Sequence, residues 1–229
     1  MNIALILSGG TGVRLGANIP KQYIQVNGKM IISYCLDMFT RHNKIDGIWI
    51  VCAEEWIADI VANLTANGIP TDKIMGYSMP GANRQLSIYN GLTDIRNHIN
   101  SDCNPVVIIH DAARPNLTAE YVSKCLEELD SHDGLMPALP MKDTVYMSTD
   151  GKTISSLVNR SQIFAGQAPE FYKLNKYLEA CKSLLPDAIM SINGSTEPAI
   201  LAGLDVVMIP GDENNYKITT AHDLEKFMA

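Results

Sequence analysis

Short apolar runs alternate with longer amphipathic stretches along this 229-residue chain. Ile3 to Leu7, Ile48 to Val51, Val106 to Ile109 and Val206 to Ile209 are rich in β-branched residues and almost free of polar ones. That is the pattern of strands buried on both faces. Between them, Met30 to Phe39, Glu55 to Asn63, Thr118 to Leu129 and Tyr172 to Leu184 (just before Pro186) read as helices. Strand, helix and strand in succession predict an α/β fold, a mostly parallel central sheet flanked by helices and joined by right-handed crossovers. No repeat or low-complexity linker interrupts it, so residues 1–229 are expected to form one domain.

Asp143 to Arg160 departs from this rhythm. Its sequence, DTVYMSTDGKTISSLVNR, places two polar, β-prone runs around Asp150-Gly151. Asp-Gly between such runs is a strong hairpin signal. A hairpin with so little apolar content is unsuited to a core. It predicts an arm, at about residues 141–163, that projects from the domain and meets another subunit.

Composition narrows the function. The chain is 46% hydrophobic and 19% charged with a mean hydropathy of +0.01, which is ordinary for a globular protein and excludes a disordered chain. Eighteen Lys and Arg against 25 Asp and Glu give a net charge of −7. Such a balance argues against a broad nucleic-acid surface, which needs a basic face. It leaves room for a small anion held by a few focused cations. The five cysteines, Cys35, Cys52, Cys103, Cys125 and Cys181, are odd in number and widely spaced. They fit neither a disulfide framework nor a zinc site, and are read as buried thiols of a reducing cytosol. The start of the chain lacks a basic secretory leader, and no apolar stretch reaches the roughly 20 residues of a membrane helix. A cytoplasmic protein without a membrane partner is expected.

Four segments carry chemistry. Leu7 to Gln22, LSGGTGVRLGANIPKQ, follows the first strand. Its glycines Gly9, Gly10, Gly12 and Gly16 permit tight turns that present backbone N–H groups to an anion. Arg14 and Lys21, seven residues apart, suit a triphosphate that needs charge neutralised at more than one phosphate. The segment lacks the Gly-Lys-Ser/Thr of a Walker loop, and Pro20-Lys21 intrudes where a dinucleotide fingerprint would open its helix. An ordinary strand-to-helix turn remains the alternative. Ile109 to Pro115, IHDAARP, ends a buried strand at the edge where α/β sheets gather ligands. There Asp111 can accept from a sugar hydroxyl or hold magnesium, and Arg114 can pair with a phosphate. A structural Asp–Arg pair is the alternative, and His110 reads as a hydrogen-bonded strand-end residue. Gly81 to Ile88, GANRQLSI, is a polar loop leading into a helix. Its Arg84 and Ser87 can meet a base or ribose edge or serve only as a helix cap. In Asn214 to Leu224, NNYKITTAHDL, Thr220 and Asp223 form a capping pair, which leaves Lys217 unexplained.

In this order the motifs, G-x-G-x-R…P-K-Q, R-x-x-S, H-D-A-A-R-P, D-T, N-R…G-Q-x-P and N-x-K-I-T-T, resemble the cytidylyltransferases that make CDP-methylerythritol and CDP-ribitol. The resemblance runs from Leu7 to Leu224. It implies a Rossmann-like nucleotidyltransferase fold with a β-arm and a homodimer. The implied reaction is CTP plus an alditol phosphate giving CDP-alditol and pyrophosphate, with magnesium. Arg14, Lys21 and Lys217 would then be catalytic. Leu7, Ser8, Gly9, Gly10, Gly12, Gly81, Arg84, Ser87 and Asp111 would bind the nucleotide. Asp111, Arg114, Thr144 and Lys217 would line the acceptor phosphate and reaction centre, Asp111 would be the metal ligand, and Arg160 would reach into a partner's acceptor pocket.

Departures from the pattern bear on the acceptor. Asn193-Gly194-Ser195 stands where the methylerythritol enzymes carry Thr-Asp-Asp/Glu, with Thr196-Glu197 next to it. Pro80-Gly81 replaces Gly-Gly, and Gln167-Ala168-Pro169-Glu170 replaces Gln-Thr-Pro-Gln. Gly9-Gly10-Thr11-Gly12, Ala82, Asn159-Arg160 and Gly166-Gln167 look more like the ribitol-phosphate enzymes, whereas HDAARP is closer to the methylerythritol type. The expectation leans narrowly to ribitol 5-phosphate, with 2-C-methyl-D-erythritol 4-phosphate, an isoprenoid precursor, as the alternative. A dinucleotide-dependent oxidoreductase, with Glu54 at the second strand's end, and an inactive nucleotide-binding module are more remote.

Overall fold

The computed structural model describes residues 1–10, 19–100 and 102–229. In chain order, β1 (Asn2–Leu7) is followed by the small hairpin β2 (Gln25–Val26) and β3 (Lys29–Met30), α1 (Ile31–Arg41), β4 (Gly47–Val51) and α2 (Ile57–Ala66). Next come β5 (Ile74–Ser78), α3 (Arg84–His98), β6 (Val106–Asp111), α4 (Ala119–Glu128) and β7 (Gly134–Pro140). The chain continues through β8 (Val145–Met147), β9 (Ser156–Val158), β10 (Phe164–Gly166) and β11 (Glu170–Lys173). It closes with α5 (Leu174–Lys182), α6 (Glu197–Leu201), β12 (Val206–Pro210) and α7 (Ala221–Met228).

The main sheet runs β10-β7-β11-β6-β1-β4-β5, with β12 on the free edge of β7. The pairs β1–β4, β1–β6, β4–β5 and β7–β12 are parallel, while β11 and β10 run antiparallel to their neighbours. Alternation of side chains along a strand assigns the two faces. In β1, Ala4 and Ile6 join a core layer with Leu36 and Phe39 of α1, Ile60 and Leu64 of α2 and Val122 and Cys125 of α4. Ile3 and Leu5 join the opposite layer, with Ile88, Leu92 and Ile95 of α3, Tyr177 and Cys181 of α5 and Ala199 of α6. Covered on both faces, the central strands need apolar residues at every position, which is why they read as unbroken runs.

One expected element changes type. The pattern predicts one helix over Tyr172 to Leu184, but Glu170 to Lys173 is a strand between β6 and β7, and the helix starts at Leu174. The aromatic pair Phe171 and Tyr172 is fully buried, and Tyr172 stacks on Tyr177 with centroids 4.0 Å apart. Insertion between two strands overrides the local helical spacing. Strands β5 and β7 escape the apolar-run pattern, the first because it is a half-buried edge and the second because it holds Pro137 and Pro140.

The expected hairpin is present. β8 and β9 pair antiparallel in a separate two-stranded sheet, with Gly151 at φ +68° in the turn. Asp150 accepts from the backbone of Lys152 and Thr153, which fixes the turn. Tyr146, Met147, Ile154 and Leu157 are exposed on it, Leu157 by 68%. All five cysteines are free thiols; Cys103 is partly exposed and the other four are buried. No helix among the described residues is long and apolar enough to cross a membrane.

Candidate active site

Parallel strands deliver their following loops to one edge of the sheet. Here β1 ends at Leu7, β5 at Ser78 and β6 at Asp111. Because β11 runs antiparallel, its first residue, Glu170, pairs with Ile109 and arrives at the same edge. A cavity of about 540 Å³ lies there. It is lined by Leu7, Gly9 and Gly10 after β1, by Lys21 and Gln22, by Gly81 to Arg84 and Ser87 at the start of α3, by Asp111 to Ala113, and by Lys217.

Asp111 is the electrostatic centre. Its Oδ1 lies 3.3 Å from an Arg84 nitrogen, and its Oδ2 lies 3.3 Å from Arg114 Nε and 3.1 Å from Lys217 Nζ. Burial alone would push this carboxyl upward, yet Arg84, Lys217 and Arg114 together hold it well below the usual carboxylate range. It is therefore an anion at any physiological pH. In turn, Asp111 and then Glu170 overcome the burial that disfavours the Arg84 charge, and its guanidinium is held more firmly protonated. Glu170 sits behind the cavity. It accepts hydrogen bonds from the Ser195 and Tyr172 hydroxyls, and its Oε1 lies 4.0 Å from Arg84. Burial dominates there and raises the Glu170 pKa despite Arg84.

The loops are braced by side chains. Asn83 caps α3 by accepting from Leu86 N at 2.8 Å, and its amide donates to Ile189 O. Ser87 Oγ accepts from Gly81 N at 3.0 Å and donates to Asn83 O at 2.8 Å. Gly9 packs so closely on Pro80 that a Cβ there would stand 2.5 Å from the proline Cβ. The segment carrying Lys217 is bolted down by Gln167, which donates to Asp212 O and accepts from Asp212 N. Arg114 adds a bond to Asn215 O at 2.8 Å.

Of the expected residues, Leu7, Gly9, Gly10, Lys21, Gly81, Arg84, Ser87, Asp111 and Lys217 come together at the cavity. Arg14 and Gly12 lie outside the described residues. Ser8 is buried with its hydroxyl donating to Tyr23, so only its backbone is near the site. Arg114 stands behind Asp111 rather than on the cavity wall. Thr144 and Arg160 are exposed at the root of the arm and do not line it; Arg160 donates to Lys142 O at 2.7 Å. His110 is fully buried, donates from Nε2 to Arg114 O at 3.0 Å, and is pushed down to about 4 by desolvation. Thr196 turns into the Glu170 and Tyr172 cluster, and Glu197 accepts from Asn193 N, so neither lines the cavity. Gln22, Asn83 and Glu170 were missed. Their signal lay in motif neighbours already singled out, but an amide's target is invisible before the loops fold.

Among the described residues no group of three or more His, Cys, Asp or Glu side chains is placed to hold a metal. Both Asp111 oxygens face cations, a setting that suits a buried counter-ion and does not fit a protein-held magnesium.

A cationic cavity at the strand ends, opening beside an α-helix N-terminus, is the arrangement of a nucleotide site. The family model of IspD, 2-C-methyl-D-erythritol 4-phosphate cytidylyltransferase, matches residues 2–228. The chain belongs to the IspD family. A ribitol-5-phosphate cytidylyltransferase of Streptococcus agalactiae is 31% identical to it over 100% of this chain and 95% of that one. The 2-C-methyl-D-erythritol 4-phosphate cytidylyltransferase of Rubrobacter xylanophilus is also 31% identical, over 97% and 91%. The IspD crystal structure from Francisella tularensis superimposes with a TM-score of 0.80 at 26% identity, covering 99% of this chain and 97% of that one. IspD-family membership establishes the nucleotidyltransferase class and agrees with the mixed, mostly parallel sheet described above.

Proposed function

We propose that this chain transfers CMP from CTP to ribitol 5-phosphate, giving CDP-ribitol and pyrophosphate. The observation that carries the reading is the convergence of Lys21, Arg84 and Lys217 on one cavity at the sheet edge, with Arg84 and Lys217 paired to the Asp111 carboxylate. An oxygen of the acceptor phosphate attacks the α-phosphorus of CTP, and the bond from that phosphorus to the bridging oxygen of pyrophosphate breaks, its electrons leaving with pyrophosphate. No protein nucleophile is required, because the acceptor already carries one. The protein aligns two anions and neutralises charge that spreads over the phosphoryl oxygens. Lys21 and Lys217 serve that purpose from two loops, with Asp111 fixing Lys217 and Arg84 in place. Arg14, from the same glycine-rich segment as Lys21, is assigned to the triphosphate on sequence grounds.

Ribitol phosphate is favoured by the glycine pattern Gly9-Gly10-Thr11-Gly12, by Ala82 and by Asn159-Arg160. The equal identity of the Rubrobacter relative keeps 2-C-methyl-D-erythritol 4-phosphate as the second reading. The exposed apolar residues of the β8–β9 arm favour docking on a second copy, with Arg160 and Thr144 reaching the neighbouring acceptor site. The arm thus supports a homodimer, and the free thiols suit a cytoplasmic location. Pyrophosphate release from CTP, measured with each polyol phosphate and with and without magnesium, tests the proposal. Turnover with ribitol 5-phosphate is expected; turnover with methylerythritol phosphate alone would reverse the acceptor assignment, and none with either would sink the transferase reading.

A further inference from the structure

Lys21, Gln22 and Tyr23 form a single 3-10 turn after the glycine-rich segment, and their three side chains do different things. Lys21 lines the cavity. Gln22 is only 3% exposed, and its Nε2 donates to the carbonyl oxygens of Ser8 and Gly10, each at 2.7 Å. A primary amide has two N–H donors, so both are consumed on the one loop. Tyr23 donates to Ser8 O at 3.0 Å and accepts from Ser8 Oγ at 2.9 Å. Its ring stacks on Trp56 with centroids 4.1 Å apart, which roots the turn in the core. On its other side the loop meets Pro80 through Gly9. Residues 8–10 are thus held between a buried amide and a proline.

Peptide geometry gives this clamp a direction. In a trans peptide the N–H points opposite to the preceding carbonyl. Tying back the Ser8 carbonyl therefore sets the direction of the Gly9 N–H. A loop of glycines has no such preference of its own. We propose that Gln22 is a positioning residue that holds the loop Ser8–Gly10 in register with Lys21, so that backbone donors and ammonium meet the triphosphate as one preorganised unit. The inference rests on the CTP-binding reading above and adds a residue that touches no reacting atom. A misplacement of about 1 Å in such a unit costs up to about 10²-fold in rate or affinity.

The test uses the full chain carrying Gln22→Met, which keeps length without donors, and Gln22→Glu, which keeps shape but cannot donate when ionised. CTP affinity by calorimetry, steady-state kinetics and amide exchange of residues 2–10 without ligand are compared with wild type. The expected result is a rise of roughly 10- to 100-fold in KM and Kd for CTP, an acceptor KM changed by less than about 2-fold, and faster exchange at residues 8–10. A merely structural role would lower kcat and thermal stability with the CTP KM unchanged, and that result overturns the proposal, as does unchanged exchange in a folded variant. Should both Gln22 variants fail to fold, Tyr23→Phe removes one bond to the same carbonyl and keeps the Trp56 stack. A smaller rise in the CTP KM is then expected, and no rise overturns the proposal. If wild type binds no CTP, the transferase reading falls and takes the clamp's function with it. If wild type binds CTP and folded Gln22→Met binds it equally well, only the clamp falls.

Discussion

At the residue scale, Asp111 shows how one buried carboxylate organises a cationic site. Lys217→Ala removes a cation that both faces the cavity and pairs with Asp111. A kcat loss on the order of 10²–10³ is expected, as for removal of one transition-state donor, with circular dichroism unchanged; Lys21→Ala is expected to behave alike. Acid stability is set just beneath. His110 is buried neutral with its pKa at about 4, and its Nδ1 has no partner among the described residues. Unfolded, it titrates near 6.5, so between about pH 6.5 and 4 the unfolded chain binds a proton that the folded one does not. Stability is thus lost as pH falls through that window, by up to about 3 kcal/mol. Glu170, with a raised pKa, contributes the opposite sign, and Asp111 acts only below the usual carboxylate range. Urea denaturation at pH 7 and pH 4.5 should show a smaller drop for His110→Gln than for wild type. The charged residues that line the cavity, Lys21, Arg84, Asp111 and Lys217, were legible because they sit in short polar segments between recognisable apolar runs. The amides and Glu170 were not, because their partners come from distant segments: the Asn83 amide donates to Ile189 O, 106 residues on, and Thr196 donates to Glu170 from 26 residues away.

At the element scale, the central strands buried on both faces were readable. β12 was readable as a strand too, but it is an edge strand with only Ile209 buried rather than one covered on both faces. The half-buried β5 and the proline-bearing β7 were not readable. Periodicity reports burial, and β5 is only half-buried along most of its length. The strand-to-helix switch at Lys173 is decided by insertion between β6 and β7, information that no local window holds. The hairpin was readable from the two β-prone runs around Asp150-Gly151, although its exposed apolar residues only acquire meaning once it is seen apart from the main sheet. If the arm docks on a second copy as proposed, Ile154→Glu with Leu157→Glu should leave the protein monomeric by light scattering while far-UV circular dichroism is unchanged. The final helix α7 is started by a reciprocal capping box between Thr220 and Asp223. Thr220→Ala should cost about 1 kcal/mol in chemical denaturation, with a side effect on Lys217 three residues earlier.

At the scale of the whole molecule, a net charge of −7 coexists with a cavity edged by Lys21, Arg84 and Lys217. Local cations attract a triphosphate while the acidic remainder repels polyanions. Raising salt from about 0.05 to 0.5 M shrinks the Debye length to a few ångströms. The KM for CTP should rise with it, whereas a rise confined to kcat would count against charge capture. The edge of the sheet that gathers these loops leaves the opposite edge free of the site. Cys103, partly exposed while the other four thiols are buried, precedes β6 on that far side. Six residues of strand, roughly 17 Å, separate the two ends of β6. A maleimide dye should therefore attach at this one position in the native protein, giving a spectroscopic reporter that leaves the mouth of the cavity unobstructed.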